Sequence, residues 1–212
     1  MIKVEDHGAC RILRLARPEK ANALTAAMLQ DLSHSIASAA AAGAKVLVLT
    51  GEGRVFSAGA DLEEMATGLG TNPIWEEVTQ ALASFPGLTI AALNGTLAGG
   101  ATGLALACDI RISVPGAQFF YPVMRLGYLP QPSDPARLTA LVGPGRARMI
   151  LLAGQRITAD EALTWGLIDR IVPPDSLIDS AIALAADALA ADQGHVAALV
   201  RLTRGTIHDQ QL

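Results

Sequence analysis

Two short stretches of small residues are the parts of this sequence best suited to chemistry, because they can present backbone N–H groups to a negative charge. The first is "LNGTLAGGATGLALACD" (Leu93–Asp109), which has four glycines within nine residues and continues as an apolar, helix-like run. Free N–H groups at a helix start, together with the positive end of the helix dipole, stabilise a phosphate or a developing oxyanion. The stretch carries no acid or base before Asp109.

Several interpretations of this glycine-rich stretch compete. A Walker-type phosphate loop requires a lysine after its last glycine, but Ala101 and Thr102 follow Gly100. A dinucleotide fingerprint requires glycines at the first, third and sixth positions, a pattern that the stretch lacks. Close packing of a helix against a strand and an oxyanion site both remain, and the stretch taken alone favours packing.

A second stretch, "GRVFSAGADLEEM" (Gly53–Met65), strengthens the oxyanion interpretation. Ser57 to Ala60 are small, so their backbone can be approached closely. Asp61 and Glu64 have the spacing of a capping box, which predicts a helix beginning near Asp61. Two strand-to-helix turns that both present N–H groups could hold one carbonyl oxygen, the arrangement that stabilises a thioester enolate or a tetrahedral oxyanion.

Strand-like and helix-like segments alternate around these turns, which predicts an α/β fold with crossover connections. The predicted strands are Cys10–Arg17 with one exposed face, Lys45–Gly51, Leu88–Gly95 and Asp109–Val114. The predicted helices are Thr25–Gly43, Gly100–Ala107, Gly145–Gly154, Thr158–Gly166 with a capping box, Leu177–Ala190 and His195–Ile207. We therefore expect an α/β core over 1–143 and a helical region for packing and oligomerisation over 144–212.

Composition narrows the class of protein. The 212 residues are 51% hydrophobic and 4% aromatic with a net charge of −4, which suits an aliphatic core and argues against nucleic-acid binding. Cys10 and Cys108 lack companions, so neither a disulfide framework nor a metal site is predicted. With no signal peptide and no run that could span a membrane, a cytoplasmic protein is expected. The mean hydropathy of +0.37 favours an oligomer.

Four segments, in order and spacing, carry a family resemblance that covers most of the chain. They are "RPEKANALT" (Arg17–Thr25), "FSAGADLEEM" (Phe56–Met65), "NGTLAGG…CDI" (Asn94–Ile110) and "LLAGQRITADEALTWGLIDRIVP" (Leu151–Pro173). The chain resembles the crotonase superfamily, the enoyl-CoA hydratase/isomerase family. The resemblance implies a spiral of ββα turns with a helical C-terminal region, homotrimers or dimers of trimers, and acyl-CoA substrates with no cofactor beyond the coenzyme A of the thioester.

The resemblance also implies roles for individual positions. The amides of Ala60 and Gly100 would form the oxyanion hole, and the carbonyl of Ala58 would face the adenine of coenzyme A. The other positions that the resemblance or the spacing assigns to substrate binding are Lys20, Ala21, Ala23, Leu24, Gly59, Asp61, Gly99 and Gln131.

The sequence departs from the family at the residues that move protons. Hydratases of the family carry two glutamates, and their positions in the motifs fall on Gly103 and Val123, neither of which transfers a proton. Family members also generally continue beyond the point that corresponds to Leu212, so a shortened helical region is expected.

Three other residues are acid–base candidates: Asp134, Glu64 and Tyr121. Some family members place their working residue after the "LG-x-x-P" motif, where this chain has Gln131, which cannot act as a base. For Asp134 the favoured interpretation is a turn residue before Pro135. For Glu64 it is a favourable charge in the first turn of a helix. Trp75 is expected to be a packing anchor.

Three functional hypotheses follow. The first is an acyl-CoA lyase or isomerase that stabilises a thioester enolate. The second is a family member with divergent chemistry, such as decarboxylation or the hydrolysis of a thioester or C–C bond, in which the oxyanion hole matters most. The third is a weakly catalytic acyl-CoA-binding subunit. Because of Gly103 and Val123, negligible hydration of a short 2-enoyl-CoA is predicted.

Overall fold

Three consecutive β-β-α units form the centre of the fold in the computed structural model, which describes residues 1–205. In each unit the first strand joins one sheet and the second strand joins another, so the chain winds as a spiral. The strands are β1 (Ile2–His7), β2 (Cys10–Leu15), β3 (Val46–Gly51), β4 (Val55–Ser57), β5 (Leu88–Leu93), β6 (Thr96–Ala98), β7 (Ile110–Ser113), β8 (Gln118–Phe120), β9 (Ile157–Thr158) and β10 (Arg170–Ile171).

Helices follow the second strand of each unit and make up most of the chain after Gly143. The helices are α1 (Ala26–Ala41), α2 (Leu62–Met65), α3 (Ile74–Ala83), α4 (Ala101–Leu106), α5 (Val123–Leu126), α6 (Asp134–Val142), α7 (Pro144–Leu151), α8 (Ala159–Trp165), α9 (Leu177–Leu184), α10 (Ala186–Ala190) and α11 (Gln193–Arg204).

The two sheets explain how the units stack. The larger sheet has the order β1-β2-β3-β5-β7-β10, and all its neighbours are parallel except the β1–β2 hairpin. The smaller sheet has the order β4-β6-β8-β9, in which β4, β6 and β8 are parallel. Because β4, β6 and β8 are adjacent and parallel, the carboxyl ends of these second strands lie side by side.

Local sequence accounts for the elements that position the site. All residues of β3 are buried, which confirms the prediction of a strand covered on both faces. Thr25 caps α1 by accepting the N–H of Met28, and Thr158 and Glu161 form the predicted capping box at α8. The interior is largely aliphatic, with Leu, Ile, Val and Ala from the larger sheet packed against α1 and α9.

Some local predictions were wrong for reasons that the structure makes clear. Strand β2 does not have a solvent-exposed face, because Arg11 and Arg14 lie against β1 and pair with Asp6 and Glu5. Helix α3 was not predicted, although Pro73 precedes it and its apolar residues have helical spacing. The predicted helix Leu177–Ala190 is two helices, α9 and α10, with a break at Ala185.

The region after Gly143 is not helical throughout, because β9 pairs with β8 and β10 pairs with β7. The division into a core and a separate helical region therefore stays a prediction. Helix α11 ends at Arg204, and the predicted continuation to Ile207 lies outside the described residues. Arg204 anchors this helix through Asp109 and the carbonyls of Ala83 and Phe85.

Within residues 1–205, none of the helices combines the length and the apolar character that crossing a lipid bilayer would require.

Candidate active site

Three turns meet at the carboxyl ends of β4, β6 and β8. The turns begin at Ala58, Gly99 and Tyr121, and residues of all three line one cavity of about 340 Å³. Adjacent parallel strands bring their carboxyl ends to the same sheet edge, where binding sites in α/β proteins commonly form. The N–H of Gly99 donates to the carbonyl of Phe120, which ties the second turn to the third.

Leu24 shapes the first turn by forming hydrogen bonds with the residues on both sides of Ala60. The N–H of Leu24 donates to the carbonyl of Gly59 at 2.8 Å, and the N–H of Asp61 donates to the carbonyl of Leu24 at 2.8 Å. These two hydrogen bonds hold the residues on either side of Ala60 and leave its own N–H unused. Among residues 1–205, no backbone carbonyl or side chain accepts from the Ala60 N–H.

The second turn approaches the first so closely that a glycine is required between them. Gly59 has a φ of +99°, and a β-carbon there would lie 3.0 Å from the carbonyl oxygen of Ala98 and 3.4 Å from the nitrogen of Gly100. Both the positive φ and the lack of space exclude a side chain at this position. The backbone nitrogen of Gly100 therefore lies against the first turn.

Gly100 is the N-cap of α4, and within the described part of the chain its N–H also has no acceptor. Both N–H groups thus belong to turns that line the cavity, and both are available to a bound atom. Two backbone donors at a developing negative oxygen stabilise it strongly when water is excluded. The assignment of Ala60 and Gly100 to an oxyanion hole stays a prediction, which these two N–H groups support.

The remaining cavity wall is almost entirely apolar. Its members come from the three turns, α2, α3, α5 and the loop before α6: Ala58, Ala60, Leu62, Met65, Ala66, Gly70, Trp75, Gly99, Gly100, Tyr121, Pro122, Val123, Leu126, Tyr128, Leu129 and Gln131. None of these side chains is charged at neutral pH. The lining residues whose side chains carry a polar group are Tyr121, Tyr128, Gln131 and Trp75, and the Trp75 indole N–H donates to the carbonyl of Leu69.

Tyr121 joins the cavity to a buried carboxyl group. Its hydroxyl lies 2.9 Å from Oδ2 of Asp134, and the backbone N–H of Gln131 donates to the same hydroxyl at 3.4 Å. Asp134 is only 1% exposed and is the first residue of α6. The interpretation of Asp134 as an ordinary turn residue was therefore wrong, because helix packing buries its side chain against Tyr121.

The carboxyl group of Asp134 occupies the space beside Gly103. A β-carbon at position 103 would lie 2.5 Å from Oδ1 and 3.0 Å from Oδ2 of Asp134, closer than non-bonded atoms approach. Oδ1 has no hydrogen-bond partner among the described residues. The absence of a side chain at 103 is thus the condition that lets the carboxyl group lie between α4 and α6.

Burial governs the protonation of this pair. Removal from water raises the pKa of Asp134 from its ordinary 3.8 to about 7, against the opposing effects of the Tyr121 hydroxyl and Arg137. Glu76 on α3 raises the pKa of Asp134 further. Burial and the nearby carboxyl group also raise the pKa of Tyr121. Asp134 therefore exists in both protonation states near neutral pH, whereas Tyr121 stays protonated.

Other predicted site residues lie outside the cavity wall. Glu64 accepts the N–H of Ala26 at 2.7 Å, so its carboxylate caps α1. The predicted capping box is therefore only half formed: Asp61 accepts from the N–H of Glu64, but Glu64 does not return to Asp61. Asp61 also accepts from Arg17 at 2.6 Å, and this contact lowers the pKa of Asp61.

The segment Lys20–Leu24 runs beside the first turn rather than in the cavity wall. The N–H of Ala58 donates to the carbonyl of Ala21, whose φ of +50° is unusual for a residue with a side chain. Lys20 is exposed and Leu24 is buried. This segment therefore supports the turn that presents the Ala60 N–H, and Leu24 does so directly.

Sequence reasoning missed the contribution of Trp75 to the site. A β-carbon at Gly100 would lie 3.2 Å from the Trp75 ring, and the indole N–H donates to the carbonyl of Leu69. Trp75 is the packing anchor that the sequence predicted, but its ring also lies against the Gly100 turn. A lone tryptophan in a segment without an assigned helix offered no signal for this second role.

A family model described as enoyl-CoA hydratase/isomerase matches residues 5–212. The chain belongs to the enoyl-CoA hydratase/isomerase family. A similar protein is the one named "Probable enoyl-CoA hydratase echA6" from Mycobacterium tuberculosis, which is 36% identical over 171 residues covering 81% of this chain and 70% of that protein.

Solved structures agree with this family assignment. The structure of Pseudomonas aeruginosa DspI has a TM-score of 0.90 at 32% identity, with 99% of this chain and 88% of that chain covered. The enoyl-CoA hydratase of Bacillus anthracis has a TM-score of 0.89 at 31% identity, with 98% and 85% covered. The predicted α/β fold with a crotonase-like spiral is therefore confirmed, and the chain is an enoyl-CoA hydratase/isomerase-like enzyme.

Proposed function

We propose that this family member binds an acyl-CoA thioester and stabilises its enolate with the backbone N–H groups of Ala60 and Gly100. The observation that carries the proposal is that Ala60 and Gly100, whose N–H groups have no acceptor among residues 1–205, lie in neighbouring turns that line one apolar cavity. A thioester oxygen that gains negative charge between these donors is stabilised more than the neutral carbonyl, which is the condition for catalysis.

The cavity wall supports a substrate with an uncharged, apolar acyl group. Leu62, Met65, Trp75, Leu126 and Leu129 would contact the acyl chain. Taking a second carboxylate of the substrate into this wall would cost free energy, because no side chain of the described wall carries a compensating positive charge.

The residues beside the two donors favour proton transfer at carbon over hydration. Hydration requires groups that position a water and transfer its protons, and positions 103 and 123 hold Gly and Val. Val123 lies in the cavity wall, and its apolar side chain has no group that could bind or activate a water there. We therefore propose an isomerase-type reaction, in which the double bond of an enoyl thioester moves through the stabilised enolate.

Mass spectrometry and chromatography of an acyl-CoA panel after incubation test this proposal. The panel contains 2-enoyl, 3-enoyl, saturated and malonyl-type thioesters, and the products scored are hydrated, isomerised and decarboxylated thioesters and free coenzyme A. We expect binding of the neutral thioesters, conversion of the 3-enoyl thioesters and negligible hydration.

Each other outcome identifies a different function. Rapid hydration would overturn the isomerase assignment, loss of carbon dioxide or release of coenzyme A would identify divergent chemistry, and binding without conversion would identify a binding subunit. A bulky substitution at Gly100 should abolish binding or turnover, and Gly145→Ala is the control for adding a side chain to a glycine near a helix start. A β-carbon at Gly145 would meet no atom of residues 1–205 within 4 Å.

A further inference from the structure

We propose that Tyr121 and Asp134 form a proton relay to the carbon atoms of the bound acyl group, with Tyr121 in contact with the substrate and Asp134 acting through it. The proposal rests on the proposed function, because it needs the enolate held by Ala60 and Gly100. It goes further by assigning the proton carrier of the reaction to residues outside the two glutamate positions of the hydratases.

Tyr121 lies where it can contact the bound acyl group. It follows β8, so topology places it at the same sheet edge as the turns of Ala60 and Gly100, and it lines the same cavity. Tyr121 is 3% exposed, and its hydroxyl is fixed by Gln131 and Asp134. A hydroxyl held in this way costs little further ordering when the substrate binds.

The Tyr121 hydroxyl has one donor site and two acceptor sites for hydrogen bonds. When Asp134 is ionised, the hydroxyl donates to Oδ2 of the carboxylate across the 2.9 Å contact. When Asp134 is protonated, Oδ2 becomes the donor, and the hydroxyl accepts from Asp134 and Gln131 and is free to donate into the cavity. With Asp134 ionised, the Tyr121 hydroxyl therefore passes its proton to Asp134. With Asp134 protonated, it passes its proton into the cavity.

The burial of Asp134 is costly for a purely structural role. Among residues 1–205, Oδ1 of Asp134 has no hydrogen-bond partner, and an unpaired buried polar atom costs about 1–3 kcal/mol. A structural contact to the Tyr121 hydroxyl would be provided equally by an uncharged amide. A carboxyl group that changes protonation is needed only if the proton itself is used.

The surroundings of Asp134 keep both protonation states accessible. The charged and titratable groups that face it are Tyr121, Arg137 on its own helix and Glu76 on α3. Helix α4 presents Gly103, which is uncharged. Burial raises the pKa of Asp134 to about 7, so the carboxyl group can accept and return a proton at neutral pH.

The proposed step is balanced within the enzyme and its substrate. The C–H bond at the α-carbon breaks, its electron pair moves into the thioester, and the enolate oxygen accepts from Ala60 and Gly100. The α-proton passes to Oη of Tyr121 while the phenolic proton passes to Oδ2 of Asp134, so the negative charge moves from Asp134 to the enolate. The reverse transfer to the γ-carbon of the allylic system completes the double-bond shift.

Deuterium incorporation and double-bond shift in deuterium oxide test the relay. The probes are 3-butenoyl-CoA, 3-hexenoyl-CoA and 3-decenoyl-CoA, and the Kd of each is measured by titration calorimetry on the same preparations. Tyr121→Phe and Asp134→Asn should each lower both rates by about 10²-fold or more, with little change in Kd. Asp160→Asn is the control, since Asp160 is an exposed acid at the start of α8.

The pH profile separates the relay from a structural role of Asp134. With the wild type, the rate of α-proton removal should rise with pH and level off above about 7, and with Asp134→Asn the residual rate should lose this dependence. Wild-type binding with neither exchange nor double-bond shift, or wild-type rates in either variant, would overturn the relay. Lack of acyl-CoA binding by the wild type would instead overturn the proposed function. Thermal melts confirm folding, and Tyr121→Phe decides the question if Asp134→Asn does not fold.

Discussion

Oδ1 of Asp134 lies 2.5 Å from the point that a β-carbon at Gly103 would occupy. The two residues belong to different helices, α4 and α6, yet they share one small volume next to the cavity. A side chain at 103 and a carboxyl group at 134 therefore exclude each other. The carboxyl group that enters this space comes from α6 and reaches the cavity through Tyr121.

This mutual exclusion predicts a non-additive effect on stability. Gly103→Ala alone should lower the free energy of unfolding by about 1–3 kcal/mol, because the added methyl group overpacks against Asp134. In an Asp134→Ala background the same change should be neutral or stabilising, since alanine favours a helix interior by roughly 1 kcal/mol. Urea titrations of the wild type, both single variants and the double variant measure this coupling.

Gly145→Ala is the control for helix propensity in that cycle, because a β-carbon at Gly145 would meet no atom of the described residues within 4 Å. Its effect should be the same with and without Asp134→Ala. Equal effects of Gly103→Ala in both backgrounds would contradict the shared volume.

The raised pKa of Asp134 predicts how stability depends on pH. As the pH rises above 3.8 the unfolded chain releases this proton, while the folded protein keeps it up to about pH 7. The stability that Asp134 contributes relative to Asp134→Asn is therefore fully present below 3.8 and is lost as the pH rises through about 7. The slope can reach about 1.4 kcal/mol per pH unit. Urea titrations of both proteins measure this difference in the free energy of unfolding from pH 3.8 to about 7. A difference that does not change with pH would show that the carboxyl group is ionised throughout.

The N–H of Gly100 can be removed without changing the backbone angle that it requires. Gly100 has a φ of −59°, which proline adopts, and both alanine and proline place a β-carbon against Trp75. Gly100→Pro should therefore lower turnover by about 10²–10³-fold relative to Gly100→Ala, because only proline lacks the donor. Steady-state kinetics with the best thioester of the panel measure the ratio. Equal turnover by the two variants would show that the Gly100 N–H is not part of the oxyanion hole.

The ion pair of Arg17 and Asp61 should lose its contribution to stability at low pH, whereas the contribution of Asp134 is lost at high pH. Arg17→Met would leave the Asp61 carboxylate without its 2.6 Å partner and should cost roughly 1–3 kcal/mol at neutral pH. Because Arg17 lowers the pKa of Asp61, this contribution is present above 3.8 and is lost as the pH falls below it. Denaturation at pH 7 and at pH 3 measures this effect. The difference in stability between Arg17→Met and the wild type should be smaller at pH 3.

Lys3→Met is the control for the loss of one positive charge. Lys3 pairs with Glu52 on the surface, where its side chain is 61% exposed, so its removal should change stability by less than about 1 kcal/mol. A penalty for Arg17→Met as small as that for Lys3→Met would show that the pair near the first turn is not important for stability.

The sequence by itself determined the α/β class, the buried strand β3, the capped starts of α1 and α8, and the two small-residue turns. These features follow from neighbours in the chain: apolar runs, N-cap spacing and glycines that permit a close approach. The choice of Ala60 and Gly100 as the two donors came from the family resemblance, and among residues 1–205 neither N–H group has an acceptor.

Only the tertiary structure decided which acidic side chain is connected to the cavity. Glu64 and Asp134 are both acids in the first turn of a helix, yet Glu64 caps α1 through Ala26, whereas Asp134 is buried against Tyr121 and Gly103. Nothing in the spacing of either residue along the chain distinguishes the two. The difference arises from how α6 packs against α4 and the end of β8, and such contacts between distant segments depend on the whole fold.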